Sequence, residues 1–376
     1  MKSPNLLNPS NRSTVRGFTL IEMMVAMTLS LILLGGVLSV MYSSKLTYNE
    51  NVRVGRLQEN MRAGVEILLH DLRGAGFPGC ARAMDPAVDF LSTLSNPTAL
   101  KWNFAQPVQG FNANGANWTP ALVAPLDTAG LLPGSDVIVV RTVRSNARVY
   151  RLNTNMATGD ADVTVIRNVG ETLRTAVPML ISDCEKSTVF AASSVSYPSA
   201  TTATLTHAIS GNAVLDNTRT NISTYKATGN AVTTVAPIDT IIYYIAPSAG
   251  VDGNGVSRGP ALWRISSTDP DPSSGMAPGT PQEVIEGVEA LQATYGEDTN
   301  GDFLVDNEYK TADAVTNWNN VIAISIAVVV RSPEENNPQV NAAQTFDMLG
   351  TDFLSPADRR ARALFTTTVT LRNRTT

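Results

Sequence analysis

The fold is decided by the stretch Arg16-Gly17-Phe18-Thr19-Leu20-Ile21-Glu22, which opens an apolar run that reaches about Tyr42. Between Phe18 and Met41 the only charged residue is Glu22. A bilayer core takes roughly 20 apolar helical residues, so this run is long enough to cross one. A carboxylate inside such a run is costly unless a partner neutralises it. The pattern therefore predicts a membrane helix that retains Glu22 for a partner.

A helical pattern continues beyond the apolar run. Apolar residues recur mainly in steps of three and four, as on one face of an amphipathic helix: Leu46, Val54, Leu57, Met61, Val65, Leu68 and Leu72. The residues between them are largely charged, which indicates a solvated face. Glycines and a proline between Gly74 and Gly79 predict the end of the helix. One helix is therefore predicted from Phe18 to Arg73, apolar in its first half and amphipathic in its second.

The distribution of charge predicts the orientation of this helix. Lys2, Arg12 and Arg16 precede the apolar run without any acid, so the positive-inside rule predicts a cytoplasmic N-terminus and an exported C-terminal part. The formal net charge of the whole chain is −5, and the part after Gly17 is more acidic still, which disfavours a broad nucleic-acid surface. Gly17 lies before the apolar run, the wrong side for ordinary signal peptidase. A simple signal anchor is the alternative.

After the helix the sequence predicts a β-rich domain. Residues 82–133 are rich in Pro, Asn, Gly and Ala and are predicted to be irregular, with at most one short helix or strand. Runs rich in Val, Ile and Thr, bounded by turn residues, predict strands at 136–143, 147–152, 162–166, 178–181, 187–192, 201–206, 238–245, 262–265, 284–295, 321–330 and 364–371. The predicted class is α+β, with one long helix packed on an antiparallel β-sheet that carries loop-rich insertions.

The opening stretch resembles the type III (prepilin) signal of type IV pilins and type II secretion pseudopilins. The resemblance implies that a prepilin peptidase cuts after Gly17, that the new N-terminal Phe18 is methylated, and that Glu22 pairs with the N-terminus of a neighbouring subunit. A Glu22 that is merely hydrated at the head-group level is the alternative. The resemblance also implies a pilin-like fold in four segments: a leader (1–17), a transmembrane and filament-core helix (18–42), its amphipathic continuation (43–76) and a periplasmic or extracellular β-rich domain (77–376).

The glycine- and cysteine-containing break after the helix and four further segments resemble the PilW family of large minor pilins, which is related to the J-type pseudopilin of type II secretion. The four segments are residues 132–141, 181–184, 295–302 and 371–374. This resemblance implies a minor pilin that helps to initiate pilus assembly with other minor pilins, near the filament tip. The implied partners are those minor pilins, the major pilin, prepilin peptidase and the inner-membrane assembly machinery. The implied location is the inner membrane and then the pilus. A type II secretion pseudopilin, a tip adhesin and a DNA-uptake module are the alternatives.

The two cysteines, Cys80 and Cys184, are far apart in the sequence and form no zinc-binding pattern. In an exported domain they can form a disulfide. Such a bond would tie the end of the helix to the sheet and close a loop of about 100 residues, a constraint worth on the order of 4 kcal/mol. Two buried free thiols are the alternative.

One acidic segment suggests a metal. Oxygen-bearing side chains at alternating positions can converge on a hard cation such as calcium, and here they are Asp298, Asn300, Asp302 and Asp306. The segment departs from an EF-hand loop, with Phe303 in place of glycine at the sixth position and Tyr309 in place of glutamate at the twelfth. An Asn-Gly hairpin turn with solvated acids is the alternative.

Enzymatic chemistry has little support in the sequence. The two histidines, His70 and His207, lie in no catalytic or metal-binding signature. The glycine-rich segment 253–259 lacks the Lys-Ser or Lys-Thr that a phosphate loop requires. We therefore predict a protein that is not an enzyme and needs no cofactor other than a possible calcium ion.

Overall fold

A computed structural model of the chain describes residues 17–76, 89–144, 147–183, 185–212, 215–228, 232–251, 253, 255, 257–268, 279–332 and 342–375. The predicted leader before Gly17 lies outside the described residues, as do Cys80 and Cys184. The chain divides into two compact units, residues 1–55 and 56–376, which are treated separately below.

Among the described residues the first element is helix α1 (Leu20–Arg73) and the last is the short helix α2 (Arg372–Thr375). Single 3-10 turns occur at Leu126–Thr128 and Trp318–Asn320. The strands, in chain order, are β1 (Asp89–Ser92), β2 (Val108–Asn114), β3 (Asn117–Thr119), β4 (Val137–Val143), β5 (Tyr150–Leu152), β6 (Val163–Ile166), β7 (Pro178–Ser182), β8 (Lys186–Ala191), β9 (Ser194–Ser199), β10 (Thr202–Thr206), β11 (Thr234–Pro247), β12 (Pro260–Ser266), β13 (Pro281–Glu286), β14 (Val288–Glu297), β15 (Val321–Arg331), β16 (Thr345–Met348), β17 (Thr351–Leu354) and β18 (Arg362–Thr370).

The first unit consists, in its described part, of α1 as far as Gly55 and the three residues before the helix. The large apolar side chains between Phe18 and Met41 are exposed, and the most apolar window of the helix has a mean hydropathy of 2.2 with none of its residues buried. By length and composition this helix can cross a membrane.

In the second unit the end of α1 packs on the sheets through one apolar face. Leu57, Val65, Leu68 and Leu72 are buried, as the amphipathic pattern predicted, and they share a core with side chains of β4, β11, β12, β14 and β15. Burying one such side chain stabilises a fold by about 1.5–3 kcal/mol. The predicted α+β class, a long helix packed on β-sheets, is therefore confirmed.

The β-structure is more divided than the single antiparallel sheet that the sequence suggested. Among the described residues, thirteen strands form the largest sheet, β14, β15 and β18 form a second, and β16 and β17 form a third. Strands β1 and β8 run parallel, whereas the other strand pairs are antiparallel. The fourteen-residue β11 joins two parts of the large sheet, because Thr234–Pro237 pairs with β7 and Ile238–Tyr243 pairs with β4.

Other expectations also differ from the structure, and strands β9, β16 and β17 were not predicted. The segment 82–133, predicted to be mostly irregular, contains β1, β2 and β3. Strands β1 and β3 have only four and three residues, and β2 is interrupted by Gly110 and Asn112, so none of them has the long Val/Ile run that signals a strand. The single strand predicted at 284–295 is split into β13 and β14 by Gly287, whose φ of 87° is open to glycine but strained for other residues.

Helix α1 packs tightly against β13 at Gly64, because a Cβ atom at this position would overlap the side chain of Ile285. We expect Gly64→Ala to destabilise the second unit despite the gain of about 1 kcal/mol in helix propensity. Gly55→Ala is the matched control, since a Cβ there has no atom within 4 Å. Thermal unfolding should show opposite shifts for the two variants, and adding Ile285→Ala should relieve the overlap in Gly64→Ala. Equal stabilisation by both alanines would contradict the packing.

Candidate assembly site

The start of α1 is capped by a local hydrogen bond that was not predicted from the sequence. Thr19 Oγ1 accepts a hydrogen bond from the backbone N–H of Glu22 at 3.3 Å, and Met23 donates its backbone N–H to the Thr19 carbonyl at 3.1 Å. Thr19-Leu20-Ile21-Glu22 therefore has the spacing of a capping box, in which the first residue caps the helix and the fourth is Glu. The carboxylate of Glu22 also lies at the helix end where the aligned peptide dipoles favour a negative charge.

All three residues predicted to act in processing and docking lie together in this exposed segment. Gly17 directly precedes Phe18, whose side chain is 86% exposed, and Glu22 follows in the first turn of the helix. The Thr19 Oγ1 to Glu22 Oε2 distance is 3.5 Å, so the carboxylate has only a weak local partner. The described residues 17–22 are all exposed. Cleavage after Gly17 and pairing of Glu22 with a neighbouring subunit stay predictions.

At the other end of α1, Asp71 belongs to a buried polar cluster, although the charge pattern of the helix predicted that this residue would lie on a solvated face. Its Oδ2 accepts hydrogen bonds from Tyr243 Oη at 2.6 Å and from Arg264 Nε at 3.2 Å. Burial and the nearby Asp71 carboxylate raise the pKa of Tyr243 well above its usual value, so the phenol is a stable proton donor. The only sequence signal was position, because Asp71 lies between the core residues Leu68 and Leu72.

The acidic segment after β14 is organised by its own amide groups. The two Asp298 carboxylate oxygens accept the backbone N–H groups of Gly301 and Phe303, at 2.7 and 2.9 Å. Asp306 accepts the Thr299 N–H at 2.6 Å and the Asn300 side-chain amide at 2.9 Å. Asp302 accepts the Leu304 N–H at 2.8 Å. Within the described ranges, no group of three or more His, Cys, Asp or Glu side chains is arranged to hold a metal. Calcium binding at Asp298, Asn300, Asp302 and Asp306 therefore stays a prediction.

Glu297 anchors the base of this acidic segment. It is nearly fully buried and accepts hydrogen bonds from Lys310 Nζ at 2.7 Å and from the N–H groups of Thr316 and Asn317 at 3.0 and 2.8 Å. Burial alone would raise the pKa of Glu297, but these donors outweigh it and lower the pKa to about 2. Glu297 is therefore a charged structural anchor at neutral pH.

The histidines have structural surroundings. His70 is largely exposed on α1, with its Nδ1 3.4 Å from the Asp71 carboxylate. His207 is buried with its Nε2 3.0 Å from the Ala161 carbonyl, and its ring packs edge-on against Phe190. Neither contact joins a histidine to a nucleophile. The pairing of Cys80 with Cys184 stays a prediction.

Two sequence models of known families match the chain. Residues 12–38 match the prokaryotic N-terminal methylation motif, and residues 242–373 match type IV pilus-assembly protein W, PilW. The first match covers Gly17, Phe18 and Glu22, and the second extends from within β11 through β18. No characterised protein and no solved structure matches the chain.

The apolar helix, its methylation motif and the β-rich region matched by PilW support a pilin related to type IV pili. The two matches together are consistent with a type IV minor pilin of the PilW family. Strands β1–β10 lie outside the residues matched by PilW. The hydrophobic core cluster that includes Tyr150, Val163, Phe190 and Val235 lies outside them as well.

Proposed function

We propose that this protein is a minor pilin that helps to initiate type IV pilus assembly by co-assembling with other minor pilins near the filament tip. The single observation that carries the proposal is the exposed, membrane-length start of α1 with the methylation motif at its N-terminal end. Such a helix can exchange lipid contacts for contacts with other helices. The function is then assembly through packing, and catalysis has no part in it.

We propose that the chain passes through insertion, processing and assembly. The chain is inserted in the inner membrane with its N-terminus in the cytoplasm, as the basic residues Lys2, Arg12 and Arg16 indicate, and its C-terminal domain is in the periplasm. Prepilin peptidase cleaves after Gly17 and the amine of Phe18 is methylated. The mature chain then joins other minor pilins and the major pilin through the inner-membrane assembly machinery.

Glu22 supplies specificity in this proposal. In an apolar environment its carboxylate attracts the amine of Phe18 on a neighbouring subunit, and the attraction offsets the desolvation of both groups only when they meet closely. A neighbour displaced along the helix axis would leave both charges unpaired. The pair would therefore select one axial stagger between subunits.

Purification of the tagged full-length chain from membranes, followed by mass spectrometry, tests the proposed function. We expect enrichment of other minor pilins and of the major pilin, with the untagged chain as the control. Enrichment of type II secretion pseudopilins in their place would support the alternative assignment, in which the same apolar helix serves a secretion system. Recovery of no protein carrying a prepilin signal would contradict both.

A further inference from the structure

Strand β18 presents a long, regular edge on the sheet β14-β15-β18. It pairs with β15 along nine residues, from Arg331↔Arg362 to Ala323↔Thr370, without a register shift. The sheet order places β15 on one side of β18 and no described strand on the other. At about 3.3 Å per residue the open edge is roughly 30 Å long.

The backbone hydrogen bonds at the two ends of β18 show which residues face this edge. Leu371 donates its N–H to the Ile322 carbonyl, and Ser332 donates its N–H to the Ala361 carbonyl, both at 2.8 Å. In an antiparallel pair, hydrogen-bonded positions alternate with positions whose N–H and C=O point away. The odd-numbered residues of β18 therefore bond β15, and the even-numbered residues direct their backbone groups outward: Arg362, Leu364, Thr366, Thr368 and Thr370.

The outward groups are free in the part of the chain that the structure describes. No backbone hydrogen bond to Leu364, Thr366, Thr368 or Thr370 from another element is present among the described residues. Their side chains are exposed and uncharged. The one charged side chain of the strand, Arg362, is turned away from solvent and bonds Glu289 and Asp358. The edge therefore offers a row of unpaired donors and acceptors without the charges that usually protect one.

Other edges in the described sheets are short, interrupted or covered. Strands β1 and β3 have four and three residues. Strand β9 contains Pro198, and β13 begins at Pro281 and carries Glu283. The outer edge of β14 is covered in two places, since Asp136 donates its N–H to the Leu291 carbonyl and Lys310 exchanges backbone hydrogen bonds with Tyr295. Proline, charge and short length are the usual means of blocking strand addition. Strand β18 has nine residues and no proline, and its one charged side chain, Arg362, is paired with Glu289 and Asp358.

We propose that the outer edge of β18 is paired by an extended strand of a neighbouring pilin subunit, which adds to the sheet β14-β15-β18. This inference rests on the proposed function, because that function supplies the neighbouring subunit. Main-chain hydrogen bonds to the outward groups between Leu364 and Thr370 give the affinity. The exposed row Thr366, Thr368 and Thr370 favours β-branched or hydroxyl side chains at the facing positions of the partner.

Amide hydrogen exchange on the full-length chain tests this edge directly, with the isolated chain in detergent compared with the chain purified together with its pilin partners. We expect the amides of Leu364, Thr366, Thr368 and Thr370 to exchange rapidly in the isolated chain and at least about tenfold more slowly in the complex. Thr367, whose N–H faces β15, should be protected in both samples. Equal exchange of the outward amides in the two samples would overturn the proposal.

A pair of variants at Thr366 gives an independent test. Thr366→Pro removes one outward N–H while leaving the bonds to β15 intact, and proline is tolerated on a free strand edge. Thr366→Val retains the backbone and the β-branched shape and is the matched control. We expect Thr366→Pro to recover pilin partners at least about tenfold less well than Thr366→Val, with unchanged thermal unfolding of the second unit.

The results of these experiments distinguish the edge pairing of β18 from the proposed minor-pilin function. Pilins recovered equally with a folded Thr366→Pro variant would overturn the edge pairing and leave the minor-pilin function standing. If Thr366→Pro does not fold, the exchange comparison in the wild-type chain decides. Recovery of no pilin with the wild-type chain would overturn both proposals.

Discussion

Asp71→Ala is expected to destabilise the second unit by about 3–5 kcal/mol, the cost of removing one partner from a buried ion pair. Asp71 is 3% exposed and Arg264 is 11% exposed, so the substitution leaves the guanidinium with little access to water. It also removes the acceptor of Tyr243, whose hydroxyl is buried with it. Since domains are typically stable by only 5–15 kcal/mol, this single change removes a large part of the total.

Urea unfolding of the full-length chain in detergent measures the effect, with Glu66→Ala as the matched control. Glu66 lies on the same helix and pairs with Arg73 at 3.0 Å, but both side chains are substantially exposed, so the pair contributes at most about 1 kcal/mol. Combining Asp71→Ala with Arg264→Leu should recover part of the loss, because the unpaired charge is then absent. Equal, small effects of Asp71→Ala and Glu66→Ala would show that the cluster does not hold α1 to the sheets.

This cluster shows where the sequence was informative and where it was not. The apolar period along α1 predicted the buried face correctly, because Leu57, Val65, Leu68 and Leu72 follow a helical repeat that depends only on neighbours in the chain. Asp71 could not be assigned in the same way. Its burial depends on Tyr243 and Arg264, which are more than 170 residues away in the chain, so no local pattern indicates that a carboxylate at this position is paired.

The strands likewise divide into those with a local sequence pattern and those without one. Strands with long Val and Ile runs, such as β4 and β15, were predicted nearly to their boundaries. Strands β1 and β3 were missed because they have only four and three residues, and β1 also depends on a distant partner, β8. The free edge of β18 could not be predicted from the sequence either. The sequence predicted the strand, but only the pairing register shows which of its backbone groups face outward.

At the N-terminus the situation is reversed, since the motif is local and the sequence carried most of the information. Gly17, Phe18 and Glu22 were selected from a resemblance over six residues, and the matched methylation motif includes them. The structure added two contacts with Thr19 Oγ1, one from the backbone N–H of Glu22 at 3.3 Å and one to its carboxylate at 3.5 Å. Only the second involves the Glu22 side chain, so this local contact is the second role that has to be separated from subunit docking by experiment.

Glu22→Ala is expected to reduce incorporation of the mature chain into filaments by about tenfold or more, because an unpaired Phe18 amine would remain in the apolar core of the assembly. Cleavage after Gly17 should continue, since the cleaved bond precedes Phe18. Thr19→Ala separates the two roles of Glu22. It removes the cap, at a cost of about 1 kcal/mol to the helix start, but keeps the carboxylate.

Two further variants complete the comparison. Glu22→Gln retains the size and hydrogen-bonding capacity of the side chain without the charge, so it should behave like Glu22→Ala if the ion pair matters. Glu59→Ala removes an exposed carboxylate from α1 outside the apolar run and should assemble normally. Impaired assembly of Thr19→Ala together with normal assembly of Glu22→Gln would assign the role of Glu22 to capping.

The most direct test of the account is to quantify, by mass spectrometry of sheared filaments, the peptide that begins at Phe18 in the wild-type chain and in Glu22→Ala. The account predicts that this peptide is N-methylated and present in wild-type filaments, and that in Glu22→Ala it is abundant in the membrane but depleted about tenfold or more from filaments. Equal amounts of the peptide in wild-type and Glu22→Ala filaments, or wild-type filaments without it, would contradict the account.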